Sequence, residues 1–261
     1  HGCKLNQADS QALTRTFEDA GYKIVDSDVP ADVYVLNTCT VTNSADQKAR
    51  QTIRSARRDN PAAIIAVTGC YAQRSPESLK QLPELDLVIG NTDKYRIVNE
   101  ISKLNSHYSY QTGIVPTDHI PPNIPFKSRV RPMLAIQEGC DQMCSYCIVP
   151  KVRGRERSLP VDYLVSQAQR LESEGYQEIV LTGTQLISYG FDLPETSLKC
   201  LLIALLTKTS IPRIRVSSLQ PQILDAQLLE LWQNPRLCPH FHVPLQSGSN
   251  NILRIMRRRY S

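Results

Sequence analysis

Short β-rich runs alternate with helical patterns along most of this 261-residue chain, and this alternation limits the folds that are open to it. In the first hundred residues the order favours an open parallel sheet covered by helices, since parallel strands need a crossover connection between them. The predicted strands are Tyr22–Val25, Val33–Leu36, Ala62–Thr68 and Asp86–Gly90, and the predicted helices start after an N-cap at Asp9 and span Ser44–Arg58, Pro76–Leu82 and Lys94–Leu104.

The same alternation returns from residue 133 onward and predicts a second α/β domain built as a parallel barrel or part of one. The predicted strands are Met133–Gln137, Glu178–Leu181, Arg213–Val216 and Phe241–Leu245, and leucine stripes mark helices at 164–171, 198–205 and 224–231. An eight-unit barrel takes about 250 residues, roughly twice the length of this part. We therefore expect a partial barrel with an exposed edge strand, and we expect Cys200 and Cys238 to be packed inside it.

Between the two alternating parts, residues 105–132 contain five prolines and no helical or strand periodicity, which is typical of an inter-domain connector. The predicted division is a first domain at 1–104, this connector, and a second, incomplete domain at 133–261. Because the first residue is His1 rather than Met, we also expect a strand to precede Cys3 in a longer protein.

Composition limits the setting more than the function. A net charge of +5 permits nucleic-acid binding without requiring it. The longest apolar runs, such as Ala63–Val67, are far shorter than a membrane span, and no secretory leader is recognisable. Eight cysteines that cluster like metal ligands favour a reducing cytoplasm over a disulfide framework.

The densest cluster is Cys140, Cys144 and Cys147, which form a C-x3-C-x2-C run. Three thiolates this close in sequence can bind one metal centre, and iron–sulfur clusters are held by such runs. Since three ligands leave one iron of a four-iron cluster open, the loop predicts a site for chemistry. The alternative is a zinc loop that takes a fourth ligand from elsewhere in the chain.

This spacing resembles the radical S-adenosylmethionine (radical SAM) superfamily. The resemblance implies a 4Fe-4S cluster on these three cysteines, which are then the catalytic residues, with Tyr146 beside the adenine of S-adenosylmethionine. In that superfamily later strand ends contact the same cofactor, which here points to Gly183, Thr184, Ser217 and Gln246; ordinary β–α turn residues are the alternative. Gln220 stands where related proteins often carry Glu, so this position lacks the charge of a carboxylate.

Three further cysteines, Cys3, Cys39 and Cys70, are singled out by position. Each falls just beyond a predicted strand end, and parallel strands place their carboxyl ends along one edge of the sheet, where ligands bind. The three thiols can therefore converge as a second cluster site. The alternative is three buried cysteines, since free Cys is among the most buried residue types.

The motifs Gly2-Cys3-Lys4-Leu5-Asn6-Gln7, Asn37-Thr38-Cys39-Thr40 and Thr68-Gly69-Cys70-Tyr71 together resemble the methylthiotransferase family. That family implies a flavodoxin-like amino-terminal domain, in which these cysteines hold an auxiliary 4Fe-4S cluster, followed by a TIM-type radical SAM barrel. The Gly-Cys-Lys-x-Asn-Gln motif resembles the branch acting on threonylcarbamoyladenosine in tRNA. The isopentenyladenosine branch and the branch acting on a ribosomal-protein Asp remain alternatives.

The resemblance implies insertion of a methylthio group at carbon 2 of the modified adenosine beside the anticodon. Its implied partners are tRNA and an electron donor such as a flavodoxin or ferredoxin, for a cytoplasmic monomer without a membrane. Arg153, Arg155 and Arg157 follow the Cys run and are candidate contacts for substrate phosphate or carboxylate, unless they form only a solvated loop. A radical SAM enzyme of other chemistry and a non-enzymatic, metal-stapled RNA-binding module are the remaining alternatives.

Overall fold

A computed structural model of the chain describes residues 2–27, 29–104 and 130–261. The chain divides into two compact units. Here the amino-terminal unit means the described residues up to 104, and the carboxy-terminal unit means residues 130–261. The predicted connector at 105–132 lies outside the described residues except for its last three positions.

The amino-terminal unit is a three-stranded parallel sheet with helices on both faces. Its elements are α1 Lys4–Asp19, β1 Val33–Thr38, α2 Asn43–Asp59, β2 Ile64–Gly69, α3 Cys70–Arg74, α4 Pro76–Lys80, β3 Leu87–Val88, a 3-10 helix Asn91–Arg96 and α5 Ile97–Leu104. The strand order is β1-β2-β3, with a register that runs from Val33 opposite Ile64 to Thr38 opposite Gly69. The predicted open parallel α/β sheet is confirmed.

The central strand β2 explains why both faces need helices. Ala66 packs in one apolar cluster with Leu13 and Phe17 of α1 and with α5, whereas Ile65 and Val67 pack in the other with Ile53 of α2. Successive strand side chains point to opposite faces, so a strand that is apolar at every position has to be covered on both sides.

Two local predictions in this unit are wrong. Helix α1 begins at Lys4 because the sulfur of Cys3, not the carboxylate of Asp9, caps it by accepting from the Asn6 N–H at 3.4 Å. The segment Tyr22–Val25 forms no strand. Tyr22 instead folds back with its ring edge on Phe17, 5.1 Å between centroids, so the segment has no partner strand.

The carboxy-terminal unit is built on a mixed four-stranded sheet of order β5-β4-β6-β7. Its elements are β4 Met133–Glu138, α6 Val149–Arg153, β5 Arg157–Ser158, α7 Val161–Ser173, β6 Glu178–Gly183, a 3-10 helix Leu186–Ser188, α8 Leu198–Lys208, β7 Arg213–Val216, a 3-10 helix Pro221–Ile223, α9 Ala226–Leu229, a 3-10 helix Glu230–Gln233 and α10 Asn250–Ile255. Strands β4, β6 and β7 are parallel, as predicted, and the short β5 is antiparallel to β4.

The leucine stripes of α7 and α8 cover this sheet as the sequence pattern predicts. Leu164 and Leu171 on α7, and Leu201 and Leu205 on α8, are fully buried in one cluster that includes strand residues Ile136, Leu181 and Ile214. Cys200 lies beside the α8 stripe rather than on it and is exposed, so the prediction that it is packed is wrong; Cys238 is buried as predicted.

The last predicted strand and helix also differ from the structure. Phe241–Leu245 forms a single bridge between Ser218 and His242 and no strand, with its apolar side chains exposed. The stripe at 224–231 is broken after Leu224, where Asp225 accepts from the Leu228 N–H at 2.7 Å and starts the short α9. No helix in the described part of the chain is long and apolar enough to cross a membrane.

Candidate functional site

The loop that carries Cys140, Cys144 and Cys147 leaves the sheet at the carboxyl end of β4. Gly139 makes the turn with φ of +76°, and a Cβ atom at this position would collide with the backbone carbonyl of Arg155. The next residue is tied to the same neighbour segment, because the Cys140 N–H donates to Gly154 O at 3.1 Å. A glycine is therefore needed at position 139, between the end of β4 and Cys140.

Two buried glutamines fix this loop against the end of β6. The Gln137 amide donates to Gly139 O at 2.9 Å and accepts from the Gln185 N–H at 3.0 Å. Gln185 in turn accepts the Cys140 S–H at 2.7 Å. Sequence reasoning missed this pair, although two glutamines at the carboxyl ends of predicted neighbouring strands were a signal that could have found it.

Cys140 is the most enclosed thiol of the three, with 7% of its surface exposed. Burial, and secondarily the nearby charges of Cys147 and Cys144, raise the pKa of Cys140 to about 11. Its free thiol is therefore protonated at neutral pH. Because metals bind the thiolate, loading a metal centre here releases that proton.

Arg258, which follows helix α10, contacts both Cys144 and Tyr146. The Nη1 atom of Arg258 lies 3.4 Å from Cys144 Sγ and 3.4 Å from the Tyr146 hydroxyl. The loop backbone is held to the same segment, since the Ser145 N–H donates to Met256 O at 3.2 Å. Tyr146 itself is half exposed.

The other residues that the sequence linked to a cofactor lie at strand ends of the same sheet. Gly183 closes β6 opposite Gln137, and Thr184 follows it with a buried hydroxyl that has no partner among the described residues. Ser217 follows β7 and is buried, whereas Gln246 is exposed with a left-handed φ of +61°. The hydrogen bonds of the described residues do not join Gln246 to the Cys loop.

A cavity of about 270 Å³ opens beside this loop, and the surface that faces it is mostly apolar although seven of its nine lining residues are polar or charged. Its lining residues are Asp141, Gln142, Glu156, Gln185, Ile187, Ser188, Phe191, Gln222 and Arg259. Both amide atoms of Gln222 are buried and have no hydrogen-bond partner among the described residues. An unpaired buried amide is costly, but these two atoms have almost no accessible surface and so do not face the cavity as the structure stands.

The three arginines after the Cys run are held by carboxylates rather than free in a loop. Arg155, whose side chain is 89% exposed, donates to Asp141 at 2.8 Å and thereby lowers the pKa of that carboxyl. Arg157 lies 2.7 Å from Glu138, and Arg153, which ends α6, is buried with Glu138 at 3.5 Å. Only Arg155 and Arg157 therefore present their guanidinium groups at the surface.

In the amino-terminal unit, Cys3, Cys39 and Cys70 all lie at one edge of the sheet. Cys3 caps α1, Cys39 directly follows β1, and Cys70 directly follows β2. The residues preceding Cys39 and Cys70, Thr38 and Gly69, are opposite each other in the ladder. The predicted placement of these two thiols at adjacent strand ends is what the structure shows.

A pair of asparagines ties the helix that carries Cys3 to the strand that carries Cys39. The Asn6 amide donates to Asn37 Oδ1 at 2.9 Å and to Thr38 O at 3.3 Å, and the Asn37 amide donates back to Asn6 O at 2.8 Å. Asn91 donates to Cys70 Sγ at 3.6 Å. Cys3 and Cys39 are thus linked through their neighbours, and Cys70 is contacted separately by Asn91.

Gly69 allows β2 to end against β1. Its φ of +94° is left-handed, and a Cβ atom there would overlap the backbone of Thr38, 2.7 Å from the amide nitrogen. The hydroxyls of Thr40 and Thr68 beside this junction are buried and have no partner among the described residues. Glycine at this position therefore lets β2 end against the backbone of Thr38, directly before Cys70.

Across the described residues, no three Cys, His, Asp or Glu side chains surround a point where a single metal ion could bind. An iron–sulfur cluster makes a different demand, since each thiolate binds its own iron at a separate corner. Both triads offer only sulfur donors, and Arg258 brings buried N–H groups without a described partner beside the second triad. This donor chemistry fits an iron–sulfur cluster.

Comparison with known families divides the chain in the same two parts. A family model described as "Uncharacterized protein family UPF0004" matches residues 1–90, and the "Radical SAM superfamily" model matches residues 134–261. Two similar curated proteins are both named threonylcarbamoyladenosine tRNA methylthiotransferase MtaB. The one from Bacillus subtilis is 40% identical over all of this chain and 59% of its own length, and the one from Aquifex aeolicus is 41% identical over all of this chain and 65% of its own length.

This chain therefore spans about 60% of the length of these curated relatives. Among solved structures, a radical S-adenosylmethionine methyltransferase, TsrM, from Kitasatospora setae superposes with a TM-score of 0.63 at 15% identity, over 94% of this chain and 57% of that one. At this identity the likeness speaks for the fold alone.

Proposed function

This chain belongs to the radical SAM methylthiotransferase family, and from that premise we propose that its protein inserts a methylthio group at carbon 2 of N6-threonylcarbamoyladenosine in tRNA. Carbon 2 of adenine carries a hydrogen of little acidity and no leaving group, so side-chain acid–base catalysis cannot activate it. The chemistry has to come from a cofactor, which the protein binds and orients.

One observation carries the proposal: each unit presents three cysteines beside the carboxyl ends of its parallel strands, with Cys39 and Cys70 after β1 and β2, Cys3 at the start of α1, and the other three in the loop after β4. In α/β folds this edge is where ligands bind and reactions take place. A zinc-stapled module needs one such ligand set, not two sets of three on two separate sheets.

We propose that Cys140, Cys144 and Cys147 hold a 4Fe-4S cluster with S-adenosylmethionine at its open iron. When bound, this pair supplies the radical that activates the C–H bond of the base. The chain's own part is orientation: Tyr146 lies beside the adenine, and Gly183, Thr184, Ser217 and Gln246 contact the rest of the cofactor. The Gln137–Gln185 pair keeps the loop in register with β6.

Cys3, Cys39 and Cys70 would hold the auxiliary 4Fe-4S cluster, which would supply the sulfur that is transferred. The Asn6–Asn37 pair would keep Cys3 and Cys39 at a fixed separation. Gly69 would keep Cys70 close to the end of β1, where Cys39 lies. Thiols with no such ties would have to be ordered when the cluster binds.

The substrate is an unpaired anticodon-loop nucleotide, the kind of RNA site that proteins read by stacking and hydrogen bonding. The cavity beside the Cys loop offers an exposed phenyl ring, Phe191, for stacking. Arg155 and Arg157 are placed to meet phosphate. We propose a cytoplasmic monomer that receives electrons from a flavodoxin or ferredoxin.

The test is the nucleoside content of tRNA from a strain that lacks the gene, measured by mass spectrometry and repeated with the gene restored. We expect threonylcarbamoyladenosine to lose its methylthio group in the deletion strain and regain it with the wild-type gene, but not with Cys144→Ala. Cys200→Ser is the matched control, because Cys200 is exposed and lies in neither triad.

Other outcomes point to the alternatives. Loss of the methylthio group from isopentenyladenosine would assign the other tRNA branch. Full retention on both nucleosides, with loss from a ribosomal-protein Asp, would assign the ribosomal branch and reject the proposed substrate. Retention of all three modifications would reject methylthio transfer.

A further inference from the structure

We propose that Arg258 is an electrostatic partner of the cluster on Cys140, Cys144 and Cys147 and that its positive charge makes the one-electron reduction of this cluster easier. The inference rests on the proposed function only in that this triad binds a 4Fe-4S cluster. It assigns to the arginine a role that is separate from substrate binding.

The first support is contact with a predicted ligand sulfur. Arg258 Nη1 lies 3.4 Å from Cys144 Sγ, within the reach of an N–H to sulfur hydrogen bond. The same atom lies 3.4 Å from the Tyr146 hydroxyl, two residues along the loop. A single guanidinium nitrogen therefore touches both ends of the segment Cys144–Tyr146.

The second support is that the other two guanidinium nitrogens of Arg258 have no hydrogen-bond acceptor among the described residues. These atoms, Nε and Nη2, are both buried. The guanidinium lies over the Tyr260 ring, 5.0 Å from its centroid, which shields one of its faces. Arg258 as a whole is half-buried, but N–H groups of a cation that are shut off from water and have no acceptor are unfavourable unless an anionic group is present beside them. A sulfur-ligated cluster is such a group.

The third support is the backbone that aims this side chain. Helix α10 ends in a Schellman motif, in which the Arg258 N–H donates to Leu253 O at 2.9 Å and the Arg257 N–H donates to Arg254 O at 3.0 Å. The motif forces Arg257 into the left-handed region, at φ of +57°, where glycine is the usual residue. The chain thus accepts local strain at Arg257 in a turn that carries Arg258 to the Cys loop.

Tyr260 anchors the segment beyond the turn. Its hydroxyl donates to the carbonyls of Pro244 and Leu245, at 3.0 and 3.1 Å. Arg258 is therefore held between a helix end and an anchored tyrosine. A positioned charge is effective because it needs no rearrangement when the charge of its partner changes.

The physical effect follows from charge. Reduction by an external low-potential one-electron donor adds one negative charge to the sulfur-ligated cluster and moves no proton. Arg258 would stabilise that added charge, and hydrogen bonds to the sulfurs together with net charge are the levers by which proteins set such potentials. Because Arg258 and Cys144 are half-buried, opposite charges a few ångströms apart here are partly shielded from water and can shift the equilibrium by about tenfold.

The test is a redox titration of the whole, anaerobically reconstituted protein, followed by electron paramagnetic resonance without tRNA. The variants are Arg258→Gln, which removes the charge, and Arg258→Lys, which keeps it. Arg254→Gln is the matched control. Arg254 lies one turn earlier on α10, and its side chain donates to Asn251, outside the Cys loop, at 3.0 Å. Iron and sulfide are counted in each variant before the titration.

At the potential where the wild-type cluster is half reduced, we expect the reduced-to-oxidised ratio to fall about tenfold in Arg258→Gln, equivalent to ~59 mV for a one-electron couple. We expect a fall of less than about threefold in Arg258→Lys and no change in Arg254→Gln. If Arg258→Gln does not retain its iron, Arg258→Met decides, because it also removes the charge and leaves an unbranched side chain of similar length in its place.

A wild-type midpoint in an uncharged Arg258 variant that retains its cluster overturns the inference. An equal shift in Arg254→Gln overturns it too, since the effect would then be a general one of surface charge. Because no tRNA is present, a shifted midpoint together with unmodified tRNA would reject the proposed function and leave this inference standing.

Discussion

Replacing Gly69 by alanine tests how closely the two strand ends at the amino-terminal triad must approach. Gly69 ends β2 with φ of +94° and ψ of −163°, a backbone region that is open almost only to glycine. The added Cβ atom would meet the backbone O and N of Thr38, the N at 2.7 Å. Backbone atoms of a paired strand cannot move aside as the end of a flexible side chain can.

The expected cost has two parts. Holding a non-glycine residue in such a region costs about 1–3 kcal/mol. Separating the strand ends also breaks the bond from the Thr38 hydroxyl to Thr68 O, 2.5 Å long, which contributes about 0.5–1.5 kcal/mol. The sum is about 1.5–4.5 kcal/mol, which lowers the midpoint of a domain of about 100 residues by roughly 7–20 °C.

Gly21→Ala is the matched control. Gly21 also has a left-handed φ, +85°, but nothing lies within 4 Å of the position that its Cβ would take. It should cost only the backbone term, about 1 kcal/mol. The assays are thermal unfolding of the apo protein and iron counting after reconstitution, and we expect Gly69→Ala alone to lose about half the iron.

Equal midpoints for the two alanine variants would refute the reasoning about the clash. A full iron content in Gly69→Ala, alongside the expected loss of stability, would separate the two claims: the strand junction would be tight, but Cys70 would not need its present position to bind iron.

Three further variants probe other parts of the structure by thermal unfolding. Lys94→Met removes the ion pair with Asp9, which is 2.7 Å long with both side chains less than 5% exposed. We expect the free energy of unfolding to fall by about 3–5 kcal/mol and the additional change Asp9→Asn to restore part of it. An unchanged free energy of unfolding would contradict this. Burial alone would raise the pKa of Glu178, but Arg215 and Arg213 lower it below 4.5. Glu178→Gln should therefore be less stable than the wild type near pH 7, and the difference in stability should shrink as the pH falls below about 4.5. A difference that does not depend on pH would contradict this. Arg257→Gly should stabilise the end of α10 by about 1 kcal/mol, because glycine takes its left-handed φ without strain; an unchanged or lower midpoint would contradict this.

Periodicity predicted those parts of the fold in which one pattern decides the structure. The leucines of α7 and α8 and the continuous apolar run of β2 are buried where the pattern puts them. Tyr22–Val25 and Phe241–Leu245 have the composition of strands, but a strand also needs a partner, and the sequence of one segment does not contain that information. The two-residue strand β5 is too short to produce any pattern.

The site was predictable to the extent that it depends on cysteines. Spacing grouped Cys140, Cys144 and Cys147, and position after strands grouped Cys39 with Cys70. The partners of these cysteines were not predictable: Gln185 meets Cys140 from 45 residues away, and Arg258 meets Cys144 from 114 residues away. Contacts at such separations are set by tertiary packing, and no local motif marks them.

The central claim is that the chain holds two iron–sulfur clusters on two separate cysteine triads. The direct measurement is iron and acid-labile sulfide per chain after anaerobic reconstitution of the wild-type protein, Cys70→Ala and Cys144→Ala, with Cys200→Ser as control. We predict about eight irons for the wild type and the control, and about four for each triad variant, since each 4Fe-4S cluster depends on its own three thiolates. A full iron content in either triad variant, or bound zinc without sulfide in the wild type, would contradict the account.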